Sequence, residues 1–89
     1  MVDQPKIVFD ESEVLRLIQM KRKNVSWIRE QMPELRKKYR CEFIAVDDRK
    51  IIDSDKSFDA LLRRLRRRAG DLSAITFEFV PEREYIHVL

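Results

Sequence analysis

Four consecutive apolar residues, Phe43-Ile44-Ala45-Val46, leave this chain few folding options. Successive side chains on a strand point to opposite faces, so Phe43 and Ala45 face one way and Ile44 and Val46 the other. A strand that is apolar on both faces has to be covered on both faces. A polar turn follows, Asp47-Asp48-Arg49-Lys50, and then a short apolar return, Ile51-Ile52. Together they predict a β-hairpin whose two strands each need two covers.

The next segment supplies one cover. Ser57 is placed to cap a helix and Asp59 lies in its first turn. Phe58, Leu61, Leu62, Leu65 and Ala69 form an apolar stripe at helical spacing. The only glycine, Gly70, stands at the C′ position that ends such helices. Beyond it, Ile75-Thr76-Phe77-Glu78-Phe79 alternates like a strand with Ile75, Phe77 and Phe79 inward. The return strand, this helix and Ile75–Phe79 read as a β-α-β unit, predicting parallel strands joined by a right-handed crossover. Pro81 ends that strand, and Tyr85-Ile86-His87-Val88-Leu89 is expected as a fourth, terminal strand.

The second cover is sought upstream. Asp10 with Glu13 has capping-box spacing, and Phe9 with Val14 that of a hydrophobic staple; Ile7-Val8-Phe9 is a short apolar lead-in or edge strand. From there Val14, Ile18, Lys21, Val25, Ile28, Met32, Leu35 and Tyr39 recur at alternating spacings of four and three, a 3.5-residue period. Leu15, Leu17 and Trp27 lie beside this seam and widen it. Pro33 lies inside the pattern, where a proline removes one amide and costs ~3 kcal/mol, so a kink near Pro33 or a split into two helices is expected. Such a seam either covers the sheet of its own chain or meets another helix. In the second case Ile18, Val25, Ile28, Met32 and Leu35 are the protein-interface residues.

The expected architecture is α+β: a long N-terminal helix kinked near Pro33, then a ββαβ core with a small mixed sheet. Residues 1–23 form the lead-in and first part of the amphipathic helix, and residues 24–89 the small α+β domain. At 89 residues the chain buries only ~60–65% of its unfolded surface. Cys41 is a lone cysteine, which suits a reducing compartment. Val2-Asp3-Gln4-Pro5-Lys6 is polar, and no apolar run approaches the ~18 residues of a membrane span. A cytoplasmic protein without membrane association is therefore expected. Arg and Glu are abundant while Asn and Gln are few, a balance like that of proteins from hot environments, and one that an Arg-rich codon usage also produces.

With these residues in view, the chain resembles a small prokaryotic domain family of unknown function. That family combines an amphipathic helix carrying Trp and ending in Lys-Tyr with a hairpin of the form G-E-[FW]-[IV]-A-V-x-D-G-K-V-I. Here the pattern reads Trp27, then Glu34-Leu35-Arg36-Lys37-Lys38-Tyr39, then Glu42-Phe43-Ile44-Ala45-Val46-Asp47, Lys50-Ile51-Ile52, and Ser57-Phe58 with Leu61. It spans roughly residues 24–89. Cys41 and Arg49 stand where the resemblance expects glycine. The resemblance implies the fold and supplies no catalytic or binding residue.

Few residues suggest chemistry. Asp53-Ser54-Asp55-Lys56-Ser57-Phe58-Asp59 superficially matches a calcium loop. It has Phe58 at the sharp-turn glycine and Arg64 at the bidentate glutamate, so no metal is expected. Cys41 and the only histidine, His87, lack any orienting motif, and one glycine cannot build a phosphate-cradling loop. No catalytic residue, cofactor or small-molecule substrate is expected. Of 19 basic residues against 16 acidic, five crowd one helix: Arg63, Arg64, Arg66, Arg67 and Arg68. The helix dipole favours cations at a C-terminus but does not need five. With Lys37 and Lys38, they are the candidate phosphate-binding set, provided that two basic groups share a face. Two readings follow. One is a non-catalytic interaction or regulatory module that forms a homodimer or binds a partner protein through its N-terminal helix. The other is an RNA- or DNA-binding accessory protein using residues 63–68.

Overall fold

The computed structural model describes residues 10–83. The lead-in Ile7-Val8-Phe9, the Phe9 half of the staple, His87 and the fourth strand expected at residues 85–89 lie outside them. The described chain runs α1 (Glu11–Lys38), β1 (Phe43–Asp47), β2 (Lys50–Asp55), α2 (Phe58–Ala69) and β3 (Thr76–Phe79).

The central strand is β1, and the sheet order is β2-β1-β3. The Ile44 and Val46 side chains form one core cluster with Ile28, Leu35 and Val80, flanked by Trp27, Met32, Tyr39 and Ile51. On the opposite face Ala45 forms a second cluster with Leu61, Leu65 and Ile75, flanked by Phe43, Leu72 and Phe77. The doubly apolar strand is thus covered by α1 on one face and α2 on the other. The ββαβ order holds, and β2 and β3 both run antiparallel to β1. They are therefore parallel to each other, as the crossover predicts, but β1 lies between them and every hydrogen-bonded pair is antiparallel. The inward set of β3 is also narrower than expected, since Phe79 is 41% exposed and stacks on Phe43 at 5.0 Å between ring centroids.

Helix α1 starts where Asp10 accepts a hydrogen bond from the Ser12 amide, and its first turn carries Glu11 and Glu13. It passes through Pro33 as one helix, which corrects the alternative of two helices. The missing amide bond costs ~3 kcal/mol. Burial of Ile28 and Leu35, one on each side of Pro33 in the same cluster, returns ~1.5–3 kcal/mol each. Twenty-eight residues make a helix of about 42 Å, whereas the six residues of β2 span about 20 Å. The helix is about twice the length of the sheet it covers.

Among the described residues three non-glycine residues have positive φ: Cys41 at 61°, Asp48 at 47° and Arg49 at 59°. Asp48 and Arg49 form the two-residue hairpin loop, where paired positive φ values identify a type I′ turn that favours Asn-Gly or Asp-Gly. Cys41 and Arg49 are the two positions at which the resemblance expects glycine, and both adopt the conformation that glycine serves. Each holds a side chain in a region costing ~1–2 kcal/mol.

A β-bulge sets the frame of β2. Val46 is opposite Ile51, but Ala45 is opposite Asp53, so Ile52 is the extra residue. A one-residue slip exchanges the two faces of a strand. Because of it, Asp53 and Asp55 share the face of Ala45 and Phe43, toward α2; without it they would point at the apolar face of α1.

Candidate interaction surfaces

The expected seam of α1 divides into two parts. Its C-terminal half is built into the core: Ile28 and Leu35 are buried, and Met32 packs beside them. Ile28 and Leu35 are thus engaged within their own chain, and Met32 is half-buried beside them. In the N-terminal half the buried row is displaced from the 3.5-residue line. Leu17 and Met20 are half-buried beside the α2–β3 connection at Asp71, Ser73 and Ala74, whereas Ile18 and Lys21 are exposed. A straight helix drifts about 20° per heptad from a 3.5-residue repeat, so a seam centred at Ile28 rotates off the core toward the N-terminus. Leu15 is left 55% exposed and Ile18 43%. Ile18 and Val25, with Lys21, Arg22, Ser26 and Arg29, line an open groove of about 460 Å³. A smaller one of about 310 Å³ runs from Val14 and Ile18 to Ser73.

The arginine helix also divides. Arg64 donates from Nε to Asp53 Oδ2 at 3.1 Å, from Nη2 to Asp53 Oδ1 at 3.2 Å, and from Nη1 to Asp55 Oδ2 at 2.6 Å. Its Nη2 also donates to the Ser54 carbonyl at 3.0 Å. Arg68 Nη2 lies 3.4 Å from both Asp53 Oδ2 and the Ile52 carbonyl. The carboxylates of the calcium-like sequence are thus engaged by the very residue at its bidentate-glutamate position. The hydrogen bond from Arg64 holds the Asp53 carboxyl below its usual range. The Ser57 amide, followed by Arg64, does so for Asp55. Asp53 and then Asp55 raise the Arg64 pKa in turn.

Arg63, Arg66 and Arg67 are exposed and form no ion pair among the described residues. Their helical positions put them opposite the buried pair Leu61 and Leu65. Lys37 pairs with Glu34 at 3.3 Å, and Lys38 is exposed in the last turn of α1. Since α1 and α2 cover opposite faces of the sheet, these lysines and the α2 arginines do not form one basic surface.

Asn24 is the residue that sequence reasoning passed over. It is 1% exposed on the core face of α1. Its Nδ2 lies 3.4 Å from the Val46 carbonyl, 3.4 Å from the Ala74 carbonyl and 3.3 Å from Thr76 Oγ1. Its Oδ1 accepts from the Arg49 amide at 3.0 Å. One side chain joins α1 to β1, the hairpin turn, the α2–β3 connection and β3. The signal available was an asparagine at i−4 from Ile28, on the face that carries the core.

Among the described residues no helix is long and apolar enough to cross a membrane. The model of a family of unknown function (DUF5678) matches residues 34–83, from the end of α1 to just beyond β3. No curated protein and no solved structure matches.

Proposed function

The chain belongs to the family of unknown function DUF5678, and we propose that it works as a non-catalytic interaction module that self-associates through the N-terminal half of α1. The observation that carries this reading is the exposure of Leu15 and Ile18 on a helix about twice as long as its sheet. Large apolar side chains at helical spacing on an unpacked segment favour a second helix. Charge supports a second copy as the occupant. An antiparallel pairing that sets Val14 opposite Val25 also brings Glu11 in the first turn to Arg29, on both sides of the two-fold axis. Val25 and Ile18 keep their place in the interface, with Val14 and Leu15 joining them.

The test is light-scattering mass at 100 and 500 mM salt for the wild type and Ile18→Asp. The expected result is a dimer at both salts that the substitution converts to a folded monomer. A wild-type monomer at hundreds of micromolar protein would sink the proposal.

A second reading, nucleic-acid binding through α2, rests on the outward trio Arg63, Arg66 and Arg67. Arg64 and Arg68 are engaged with β2, which narrows the contact to three cations. Three phosphate contacts give a shallow salt dependence. Loss of RNA retention in the triple Arg→Glu variant, with the fold intact, would favour this reading.

A further inference from the structure

The middle of α1 and the hairpin turn flank an open groove of about 340 Å³ lined by Arg22, Lys23, Ser26, Trp27, Glu30 and Arg49. Its α1 wall consists of two neighbouring rows, Arg22-Ser26-Glu30 and Lys23-Trp27, each at i, i+4 spacing. Trp27 packs in part against the α1 core cluster, which holds its ring in place. Arg49 comes from the other side. Its backbone is fixed by the type I′ turn and by the hydrogen bond to buried Asn24, so this wall is preorganised. Arg22, Lys23 and Arg49 form no ion pair among the described residues, and Glu30 is the one carboxylate in the lining.

Arg49 also occupies a position whose backbone favours glycine. Strain of this kind persists where a side chain has a use, and the inference runs from the outlier to the use. Three cations without an ion-pair partner, against one carboxylate, favour an anion, and an indole offers a nucleic-acid base a face to stack on. We propose that this groove binds a nucleotide unit, with the base stacked on Trp27 and the phosphate held by Arg22, Lys23 and Arg49. Ser26 and Glu30 are placed to meet the polar edge of the base or sugar. Arg22 and Ser26 also line the groove beside Ile18 and Val25, so the site adjoins the proposed self-association face, while it lies apart from the α2 arginines.

Trp27 is the only tryptophan, so its emission reports on the groove directly. The full chain is titrated with AMP, a 12-nucleotide single-stranded oligonucleotide, inorganic phosphate and polyglutamate. Saturable quenching by AMP or the oligonucleotide, and not by phosphate or polyglutamate, is expected. Saturation by AMP identifies a free nucleotide as the ligand. Quenching by the oligonucleotide alone identifies single-stranded nucleic acid, and both outcomes support the site. Arg49→Gly is expected to weaken binding at least tenfold while the melting temperature does not fall, and Arg66→Glu with Arg67→Glu to leave it unchanged. The proposal is overturned if neither nucleotide ligand quenches up to millimolar concentration, if phosphate or polyglutamate quenches equally, or if Arg49→Gly binds like wild type. Light-scattering mass of Arg49→Gly, expected to equal that of wild type, separates this result from the self-association reading.

Discussion

The backbone amide of Arg49 donates to the side-chain oxygen of Asn24 at 3.0 Å, across 25 residues of sequence. In a type I′ turn this amide has no partner in the hairpin ladder. The buried asparagine satisfies it and fixes the turn against the middle of α1.

Asn24→Ala is therefore expected to destabilise the domain by ~2–3 kcal/mol, because an amide loses its acceptor and a cavity opens. At ~4–8 °C per kcal/mol for a domain of this size, the melting temperature falls by more than about 8 °C. Urea unfolding with an unchanged slope checks it; a shift below about 0.5 kcal/mol would show that the asparagine is dispensable.

Cys41→Gly and Arg49→Gly are expected to stabilise. Relief of a positive φ returns ~1–2 kcal/mol, and the greater unfolded-state freedom of glycine takes back ~0.4–1 kcal/mol. The net gain is about 0.5–1 kcal/mol per site, read as a higher denaturation midpoint. A lower midpoint in either variant would contradict the backbone assignment.

The arginines of α2 are expected to separate by stability. Arg64→Ala removes a bidentate contact and two further hydrogen bonds, and should lower the denaturation midpoint by the small amount expected of a pair that water still screens. Arg66→Ala and Arg67→Ala should stay within ~0.5 kcal/mol. Equal losses at all three positions would mean that the Asp53–Arg64 contact contributes nothing specific.

Acid should expose the same contact. Asp53, Asp55 and Asp71 are all held below the ordinary 3.8, Asp71 mainly by the Ser73 amide. Near that value the unfolded chain binds more protons than the folded one, so stability rises with pH there. Their contribution is complete above about pH 5 and disappears as pH falls below 3.8 through the folded values. Melting temperature should be flat from pH 7 to 5 and drop below pH 4, with a shallower drop in Arg64→Ala. An identical acid slope in that variant would rule out Arg64 as the main cause at Asp53.

Ile18 and Ile28 occupy one line of the heptad pattern and should behave oppositely. Ile28→Asp buries a charge in the α1 core cluster and should cost more than about 4 kcal/mol, leaving the chain largely unfolded. Ile18→Asp should leave helical circular dichroism intact and lower the melting temperature only by the concentration-dependent part that self-association contributes. Unfolding by Ile18→Asp would place that residue in the core.

Much of this fold is legible along the chain because local rules agree with the tertiary result. Phe43–Val46 demanded two covers and has them. Asp10, Ser57 and Gly70 mark helix ends where the caps are found. The two glycine-like positions, Cys41 and Arg49, turn out to have positive φ. What was hidden depends on contacts distant in sequence. A 3.5-residue line drawn through Ile18 and Ile28 cannot show that the sheet ends before one of them. The bulge at Ile52 leaves no mark in composition, yet it decides that Asp53 faces Arg64. Five arginines read alike until β2 takes two of them, and Asn24 reads as a surface polar residue until four elements converge on it. The carboxylates of the calcium-like stretch are visible as a pattern, but their partner comes from the following helix.

The guanidinium groups of Arg64 and Arg68 reach past the carboxylates to two main-chain oxygens of β2, Ser54 and Ile52. This strand lies at the margin of the sheet, where unpaired carbonyls invite another chain to add on and grow an aggregate. With those acceptors occupied and the ladder interrupted by an extra residue, β2 offers a poor template for intermolecular pairing. The same two arginines that hold the carboxylates of β2 therefore also leave that edge with fewer free acceptors for an added strand.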